Sequence, residues 1–223
     1  MVNIQMNNND TKRVEALRKY DILDTPLDGN FDRITELAAT IFKVPIAIIS
    51  LVDTERIWFK SHYGIPVNQL DRDPGLCASA ILSKDVYIVE DALEDPRTLA
   101  NPLVAGDFGL RFYAAAPLTT EDHYNLGTLC IIDKAPRLFT DKEREILEQL
   151  GKIVMDEMEM RLALRNAVQS IRNLTADINA NLKKTIHGIQ ASAPEAGQHE
   201  AVISHLEASR MFMLNVENQL NHI

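Results

Sequence analysis

The sequence predicts an α+β protein with a central antiparallel sheet of about six strands, helices on one face, pocket-forming loops on the other, and a C-terminal antiparallel helical hairpin. Three patterns indicate this fold. Residues 108–134 hold two apolar, strand-like runs around a polar turn, as in a β-hairpin. The run from Pro45 to Asp53 is apolar without alternation, as in a strand buried on both faces. After residue 160, apolar residues alternate spacings of three and four, which is typical of packed helices.

The N-terminal part is predicted to contain a tail and two helices. Residues 1–9 are rich in Asn and predict a disordered tail. A short helix then spans Thr11 to Tyr20, because Asp10 is a suitable N-cap. A second helix spans Asp28 to Phe42, since its apolar residues lie three and four positions apart. We expect this second helix to face the core.

The sheet is predicted from five strand-like runs, with a sixth strand not located. These runs are Pro45–Asp53, Arg56–Ser61, Val86–Val89, Arg111–Thr120 and Leu126–Asp133. The first is expected at the centre of the sheet, with the second as its antiparallel neighbour. Residues 66–102 form a long connection that includes a short helix at Leu76–Leu82. Long connections across one face of a sheet often form binding pockets.

The C-terminal part is predicted to be helical. A helix starts near Asp141 and covers the sheet, and beyond Arg161 a narrower, coiled-coil-like apolar stripe continues. Residues 191–198 interrupt the stripe, and residues 202–223 repeat it, so a second helix returns antiparallel. One hairpin leaves an apolar seam uncovered, and a homodimer with a four-helix bundle is the simplest cover. The predicted segments are therefore a tail at 1–9, a sheet domain at 10–160 and a dimerising hairpin at 161–223.

Composition restricts the classes of partner. The chain has 23 basic and 32 acidic residues, a net charge of -9, which disfavours nucleic acid and anionic membranes as partners. Only two cysteines occur, as expected in a reducing compartment. The first ten residues lack the basic and apolar regions of a signal peptide, and the apolar run Val44–Val52 is too short to span a bilayer. We therefore expect a cytoplasmic protein that binds neither nucleic acid nor membrane.

Seven motifs follow one another between residues 49 and 137. They are ISLVD (49–53), RIWFKSHYG (56–64), LCASAI (76–81), EDALEDPR (90–97), NPLV (101–104), RFYAAAPL (111–118) and GTLCIIDKAPR (127–137). In this order they resemble GAF domains, in particular those at the N-terminus of bacterial sensor histidine kinases and diguanylate cyclases. The resemblance covers roughly residues 20–160. It implies a sensory domain with a ligand pocket under the loops on one face of the sheet.

The hairpin is similar in apolar spacing to the dimerisation domain of histidine kinases over ADINANL, residues 176–182. Ala176 stands where such domains carry the reactive histidine, and Asn181 stands where proline is usual. His187 lacks the adjacent acidic residue and the following proline of a phosphoacceptor site. No ATP-binding domain and no diguanylate cyclase signature occurs in the sequence. The resemblance therefore implies the sensory half and stalk of a signalling protein without kinase activity.

Six residues are candidates for ligand binding, namely Trp58, Cys77, Asp91, Phe108, Arg111 and Tyr113. The aromatic residues among them offer walls for a small molecule, and Arg111 is suited to hold an anionic group through a bidentate pair. In the alternative, Arg111 pairs with Asp91 or Asp107 and braces the loops, while the aromatic residues are ordinary core. The charged signature of cyclic-nucleotide-binding GAF domains is not visible, and the sequence leaves the ligand unidentified.

The two cysteines are candidates for chemistry of their own. A thiolate at Cys77 is suited to carry a bilin or to respond to oxidants. Bilin-binding relatives usually have a histidine next to this cysteine, whereas Ala78 follows here. The alternative for Cys77, and the expectation for Cys130, is a small buried residue. Free methionine sulfoxide reductases share this fold, but they need several thiols placed for exchange, and two cysteines in separate motifs match poorly.

These observations predict a non-catalytic signal-transduction protein. A small molecule or a partner binds the GAF-like domain, and the hairpin joins two protomers. In the alternative, the GAF-like domain holds no ligand and the hairpin docks a histidine kinase or a response regulator as an adaptor. No histidine has the spacing of a metal ligand, so neither a metal site nor a catalytic site is predicted.

Overall fold

The computed structural model describes residues 8–26, 28–191 and 196–220. The chain divides into two compact units, one up to Met160 and one from Arg161 onward. Residues 1–7 of the predicted tail lie outside the described residues. So do half of the interrupting segment at 191–198 and the last three residues of the predicted second helix of the hairpin. Asn8 and Asn9 belong to the first helix, so the predicted tail is wrong there, and Asp10 lies within that helix and not at its N-cap.

Two helices precede the sheet, α1 (Asn8–Lys19) and α2 (Gly29–Phe42). The Asp28 carboxylate caps α2 by accepting a hydrogen bond from the backbone N–H of Asn30 at 3.0 Å. At the other end, Lys43 adopts the left-handed conformation, and its N–H reaches the last carbonyls of the helix. Phe31, Ala38 and Phe42 of α2 are buried, so this helix faces the core as predicted. Leu37 and Ile41, which the same spacing placed on the core face, are exposed.

Six antiparallel strands form one sheet. They are β1 (Ile46–Val52), β2 (Arg56–Tyr63), β3 (Gln69–Asp71), β4 (Tyr87–Val89), β5 (Phe112–Thr119) and β6 (Asn125–Asp133). Their spatial order is β3-β2-β1-β6-β5-β4. Every residue of β1 is buried, and this strand pairs with both β2 and β6, so its predicted central position is confirmed. The sixth strand is β3, whose three largely exposed residues carry no apolar pattern that sequence reasoning can detect.

The sheet has two differently covered faces. On one face, the hydroxyl of Ser61 in β2 donates to the Asp32 carboxylate of α2 at 2.6 Å. A long helix, α5 (Asp141–Ala191), covers the same face, and a Cβ added to its Gly151 would lie 3.2 Å from the Ala116 side chain of β5. The opposite face lies under two short helices, α3 (Leu76–Ala80) and α4 (Pro102–Ala105), and their connecting loops. We call this opposite face the loop face. The predicted α+β fold with loops over one face is thus confirmed.

The second unit consists of the end of α5 and a further helix, α6 (Ala196–Leu220). Arg172 donates a hydrogen bond to the Leu220 carbonyl, and Asn179 donates to the Glu217 carboxylate at 3.3 Å. The contacting residue moves forward along α5 from 172 to 179 while its partner moves back along α6 from 220 to 217, so the two helices run antiparallel as predicted. Thr175 is buried in this unit, whereas Leu174 beside it is exposed. None of the described helices combines the length and apolar content that a bilayer span requires.

Candidate functional site

Side chains from five strands and α3 meet under the loop face. Successive residues of a strand point to opposite faces, so every second residue of each strand contributes to this layer. The resulting buried cluster is mostly apolar. It includes Ile46 and Ile48 of β1, Ile57 and Phe59 of β2, Tyr113 and Ala115 of β5, Cys130 and Ile132 of β6, and Leu76, Cys77 and Ala80 of α3.

Five buried polar side chains lie within this layer: Ser50, Cys77, Tyr113, Thr128 and Cys130. We call them the thiol–hydroxyl cluster. The hydroxyls of Ser50 and Thr128 are 2.9 Å apart, and the Tyr113 hydroxyl donates to the Cys77 sulfur at 3.3 Å. The Cys77 and Cys130 side chains belong to the same buried cluster. Because buried polar groups need hydrogen-bond partners, these side chains satisfy one another.

The surroundings in this cluster shift the pKa values of the two thiols in opposite directions. The hydrogen bond from Cys130 lowers the pKa of Cys77 to about 6, and the hydroxyls of Ser50, Tyr113 and Thr128 act in the same direction. Together they outweigh burial, which alone would raise this pKa. The bond to Cys77, together with burial, raises the pKa of Cys130 well above its usual value. Burial also raises the pKa of Tyr113, so its hydroxyl stays protonated as a donor.

Three of the predicted ligand-binding residues belong to this layer. Cys77 and Tyr113 are in direct contact, and Phe108 packs against the apolar cluster around them. The Lys134 ammonium lies 5.5 Å from the centroid of the Phe108 ring, at the margin of the layer. The structure therefore brings an aromatic residue, a phenol and a thiol together at one position on the loop face.

Trp58 lies on the opposite face of the sheet. The Lys60 ammonium is 6.0 Å from the centroid of the Trp58 ring and 5.4 Å from that of Phe31, which belongs to α2. The residues on either side of Trp58 in β2, Ile57 and Phe59, point to the loop face instead. The structure thus separates Trp58 from the other predicted site residues. Strand alternation turns it toward the helices, and we leave it out of the candidate site.

Asp91 and Arg111 form a bidentate ion pair beside the loop face. Arg111 Nε donates to Asp91 Oδ1 at 2.8 Å, and Arg111 Nη2 donates to Asp91 Oδ2 at 2.6 Å. The backbone N–H of Ala92 also donates to the Arg111 carbonyl at 2.7 Å. The hydrogen bonds from Arg111 lower the pKa of Asp91. This geometry corresponds to the alternative in which Arg111 braces the loops, with Asp91 as its partner. The pair joins the connection after β4 to the start of β5.

An open groove of about 790 Å³ lies next to this pair, and we call it the edge groove. Its lining includes Asp91, Asp95, Arg97 and Arg137. The Arg97 guanidinium lies 4.5 Å from the centroid of the Tyr87 ring, and its Nη2 donates to the Ile88 carbonyl at 2.8 Å. Arg97 therefore covers part of the exposed edge of β4. Among the described residues, no group of three or more side chains is placed to hold a metal ion.

The family model of the GAF domain matches residues 26–157, more than half of the chain, and this range contains all six strands of the sheet. The chain belongs to the GAF domain family. Its GAF domain is of the signalling and sensor class.

Known proteins resemble this GAF domain in sequence and in fold. A Pseudomonas aeruginosa protein named cyclic di-GMP phosphodiesterase is 42% identical over 135 residues, which are 60% of this chain. The chain spans 23% of that protein's length. Free methionine-R-sulfoxide reductase from Neisseria meningitidis, solved with its substrate, superposes with a TM-score of 0.51 at 17% identity, covering 72% of this chain and 95% of the other.

A GAF domain region of a Geobacter sulfurreducens protein superposes with a TM-score of 0.50 at 20% identity, covering 67% of this chain and 97% of the other. At such identities the two solved structures show the fold alone. The phosphodiesterase match lies within the part of this chain that forms the GAF domain, and the rest of that enzyme has no counterpart in the match.

Sequence patterns did not indicate two members of the site in this GAF domain, Ser50 and Thr128. Both interrupt otherwise apolar strands, and this interruption is the signal that could have marked them. Their motifs lie far apart in the chain, as do those of the two cysteines. Only the pairing of β1 with β6, which sets Ser50 opposite Thr128 and Ile48 opposite Cys130, brings these residues together.

Proposed function

We propose that this chain is a non-catalytic signal-transduction protein, in which the GAF domain binds a small molecule or a partner and the hairpin joins two protomers. The observation that carries this proposal is that one helix belongs to both units. Residues 141–160 of α5 lie in the unit of the GAF sheet, and residues 161–191 form the hairpin with α6. Because no linker interrupts α5, a movement of its first part on the sheet is transmitted directly to the hairpin.

The loop face is the proposed binding surface. Phe108 and Tyr113 offer aromatic contacts, and the thiol–hydroxyl cluster offers hydrogen-bonding groups in a water-poor setting. The Asp91–Arg111 pair holds the covering loop in place from the side. A ligand shifts the domain between two arrangements only to the extent that it binds one better than the other. We therefore expect the signal to arise from movement of α3 and the loops around it.

The hairpin is proposed to pair with a second copy of itself. Leu174, Ile178 and Phe212 are exposed large apolar residues on its surface. A groove of about 470 Å³ between α5 and α6 is lined by mostly apolar residues, including Ile178, Leu182 and Phe212. Exposed apolar surface of this kind is usually an interaction site. A second hairpin completes a four-helix bundle and covers it.

An adaptor is the second candidate function. The observation that favours it is the packing of the loop face, where Cys77 and Tyr113 are only 8% and 1% exposed. A small molecule reaches them only after α3 moves, so a GAF domain that keeps its shape without a ligand fits this packing. In that case the hairpin docks a histidine kinase or a response regulator, as in a two-component system.

Native mass spectrometry and thermal denaturation of the full chain distinguish the two candidates. A copurified small molecule, or a rise in Tm with fractions of a metabolite extract, supports the sensor. Absence of both, together with capture of a purified receiver domain, supports the adaptor.

Two aromatic variants serve as a matched pair for the sensor. Tyr113→Phe removes a hydroxyl on the loop face, and Trp58→Phe changes an aromatic ring on the helix-covered face. The ligand-dependent rise in Tm should be smaller in Tyr113→Phe and unchanged in Trp58→Phe. An equal response in both variants places the binding site elsewhere.

A further inference from the structure

The structure brings the two cysteines of this chain together in one buried cluster under the loop face. Cys77 belongs to α3 in the outer layer, and Cys130 belongs to β6, an inner strand that pairs with both β1 and β5. Both side chains belong to the same buried cluster, and both thiols are free. Their sequence motifs give no reason to expect such a pair.

We propose that Cys77 and Cys130 are a peroxide-reactive dithiol that forms a reversible disulfide within one chain and so ties α3 to β6. This modification site goes beyond the proposed sensor function, because it requires no ligand on the loop face. Two neighbouring thiols with unequal surroundings are the arrangement that such chemistry needs. The chemical class of the reactant is a hydroperoxide, which reaches the Cys77 sulfur when α3 moves.

Exposure assigns a role to each thiol. Cys77 keeps 8% of its surface exposed, whereas Cys130 is 0% exposed. Cys77 also lies in a helix of only five residues, which is easier to displace than an inner strand. Cys77 is therefore the thiol that meets the peroxide, and Cys130 is the thiol that completes the disulfide.

The hydrogen bonds of the thiol–hydroxyl cluster support the same order. The Tyr113 hydroxyl donates to the Cys77 sulfur at 3.3 Å, which stabilises negative charge on that atom. The neighbouring Cys130 thiol lowers the pKa of Cys77, and the Cys77 thiol raises the pKa of Cys130. Cys77 is thus the first of the two thiols to ionise, and a thiolate is the nucleophile in this reaction.

The reaction balances with the hydroperoxide as the only oxidant. The Cys77 thiolate attacks one peroxide oxygen, so that an S–O bond forms, the O–O bond breaks and the departing alkoxide or hydroxide takes up a proton. The Cys130 sulfur then attacks the Cys77 sulfur, the S–O bond breaks, and hydroxide leaves and combines with the Cys130 proton as water. Two thiols supply two electrons, and the products are one disulfide, one alcohol or water from the peroxide, and one further water.

Hydrogen peroxide treatment of the native full chain tests this proposal. The expected result is the loss of both titratable thiols, measured after denaturation, together with a single peptide pair that joins Cys77 to Cys130 in a non-reducing digest. Dithiothreitol should restore both thiols. Retention of both thiols in the native protein, or a disulfide that links two chains, would overturn the proposal. Both results come from the unmodified protein, so they do not depend on whether a variant folds.

Three variants test the assigned roles. Cys130→Ser should leave Cys77 as a sulfenic acid that dimedone traps, and Cys77→Ser should leave Cys130 reduced under the same treatment. Oxidation of Cys130 in Cys77→Ser would refute the assigned order. Tyr113→Phe should slow disulfide formation roughly tenfold, because one hydrogen bond to the thiolate is lost, and should move the midpoint of its pH–rate profile upward. An unchanged rate and profile would remove Tyr113 from the mechanism as a positioning residue.

Discussion

Arg111 grips both carboxylate oxygens of Asp91, with Nε at 2.8 Å from Oδ1 and Nη2 at 2.6 Å from Oδ2. Asp91 follows β4 and Arg111 precedes β5, so this contact closes the long connection that carries α4. Arg111, the side chain best suited to bind an anionic ligand, is therefore occupied by a carboxylate of the domain's own loop. A ligand that uses Arg111 must first displace Asp91.

Replacing Asp91 by Asn should loosen this connection. The amide keeps the size of the carboxylate but loses its charge, so the bidentate pair with Arg111 weakens. Hydrogen exchange of the backbone between residues 91 and 111 should become faster. Asp107→Asn is the matched control, since Asp107 is exposed and the Arg111 guanidinium contacts Asp91 instead. Equal acceleration in both variants would contradict the bracing role of the pair.

Replacing Asp10 by Ala should destabilise the GAF domain by about 2–4 kcal/mol, because it removes the carboxylate partner of a buried arginine. Asp10 accepts from Arg13 Nε at 2.7 Å and from Arg72 Nη1 at 2.8 Å, and Arg13 is buried. Asp24→Asn is the control, since Asp24 is exposed and its partner Arg56 is partly exposed, and exposed pairs contribute about 0–1 kcal/mol. Asparagine also tolerates the left-handed backbone of Asp24. Urea unfolding measures both values. A loss at Asp10 no larger than at Asp24 would be inconsistent with this assignment.

The contribution of Asp10 should also depend on pH. Burial alone would raise the pKa of Asp10, but the hydrogen bonds from Arg72 and Arg13 outweigh it and lower the pKa below its ordinary 3.8. A carboxyl with a lowered pKa in the folded state stabilises above its unfolded pKa and loses this effect as the pH falls through the folded value. The difference in unfolding free energy between wild type and Asp10→Asn should therefore become smaller below about pH 4. If this free-energy difference stays constant from neutral pH to about pH 3, the result would argue against the ionised pair.

Gly127 and Gly188 should respond to alanine with opposite signs. A Cβ at Gly127 would lie 1.9 Å from the Ser50 carbonyl oxygen, where β6 and β1 approach closely. Gly127→Ala should therefore cost about 1–3 kcal/mol or more, since backbone must shift. A Cβ at Gly188, in the last turn of α5, meets nothing within 4 Å. Gly188→Ala should stabilise that helix by at most roughly 0.5–1 kcal/mol, the full gain of this substitution in a helix interior. Thermal denaturation of the two variants compares them directly.

Replacing Leu174 by Glu should convert the proposed homodimer into a monomer. Leu174 is 62% exposed in the single chain, so the change costs little within one hairpin but places a charge in the proposed interface. Ala180→Glu is the control, because Ala180 is exposed on another side of the same helix. Light scattering after size-exclusion chromatography gives the mass of each variant. A wild-type monomer, or a dimer that survives in Leu174→Glu, would refute this interface.

Local sequence patterns were sufficient for most of the fold. The run at Pro45–Asp53 predicted the central strand, because a strand buried on both faces contains apolar residues at every position. The hairpin of β5 and β6 and the core-facing helix α2 were predicted for the same reason, since their periodicity lies within one segment. The strand β3 was not, because its three residues pair with β2 at the sheet edge without an apolar pattern.

The candidate site was predicted only in part, because its composition depends on contacts between distant segments. From sequence, Trp58 and Tyr113 are equivalent aromatic residues in strands, yet the pleat sends one toward α2 and the other toward α3. Similarly, Cys77 and Cys130 are separate small residues in apolar motifs. The sequence by itself determined most of the elements, the charge and the apolar stripes, which follow from the order of side chains along the chain. Tertiary structure alone decided which side chains share the loop face, because register and strand pairing are set by the whole sheet.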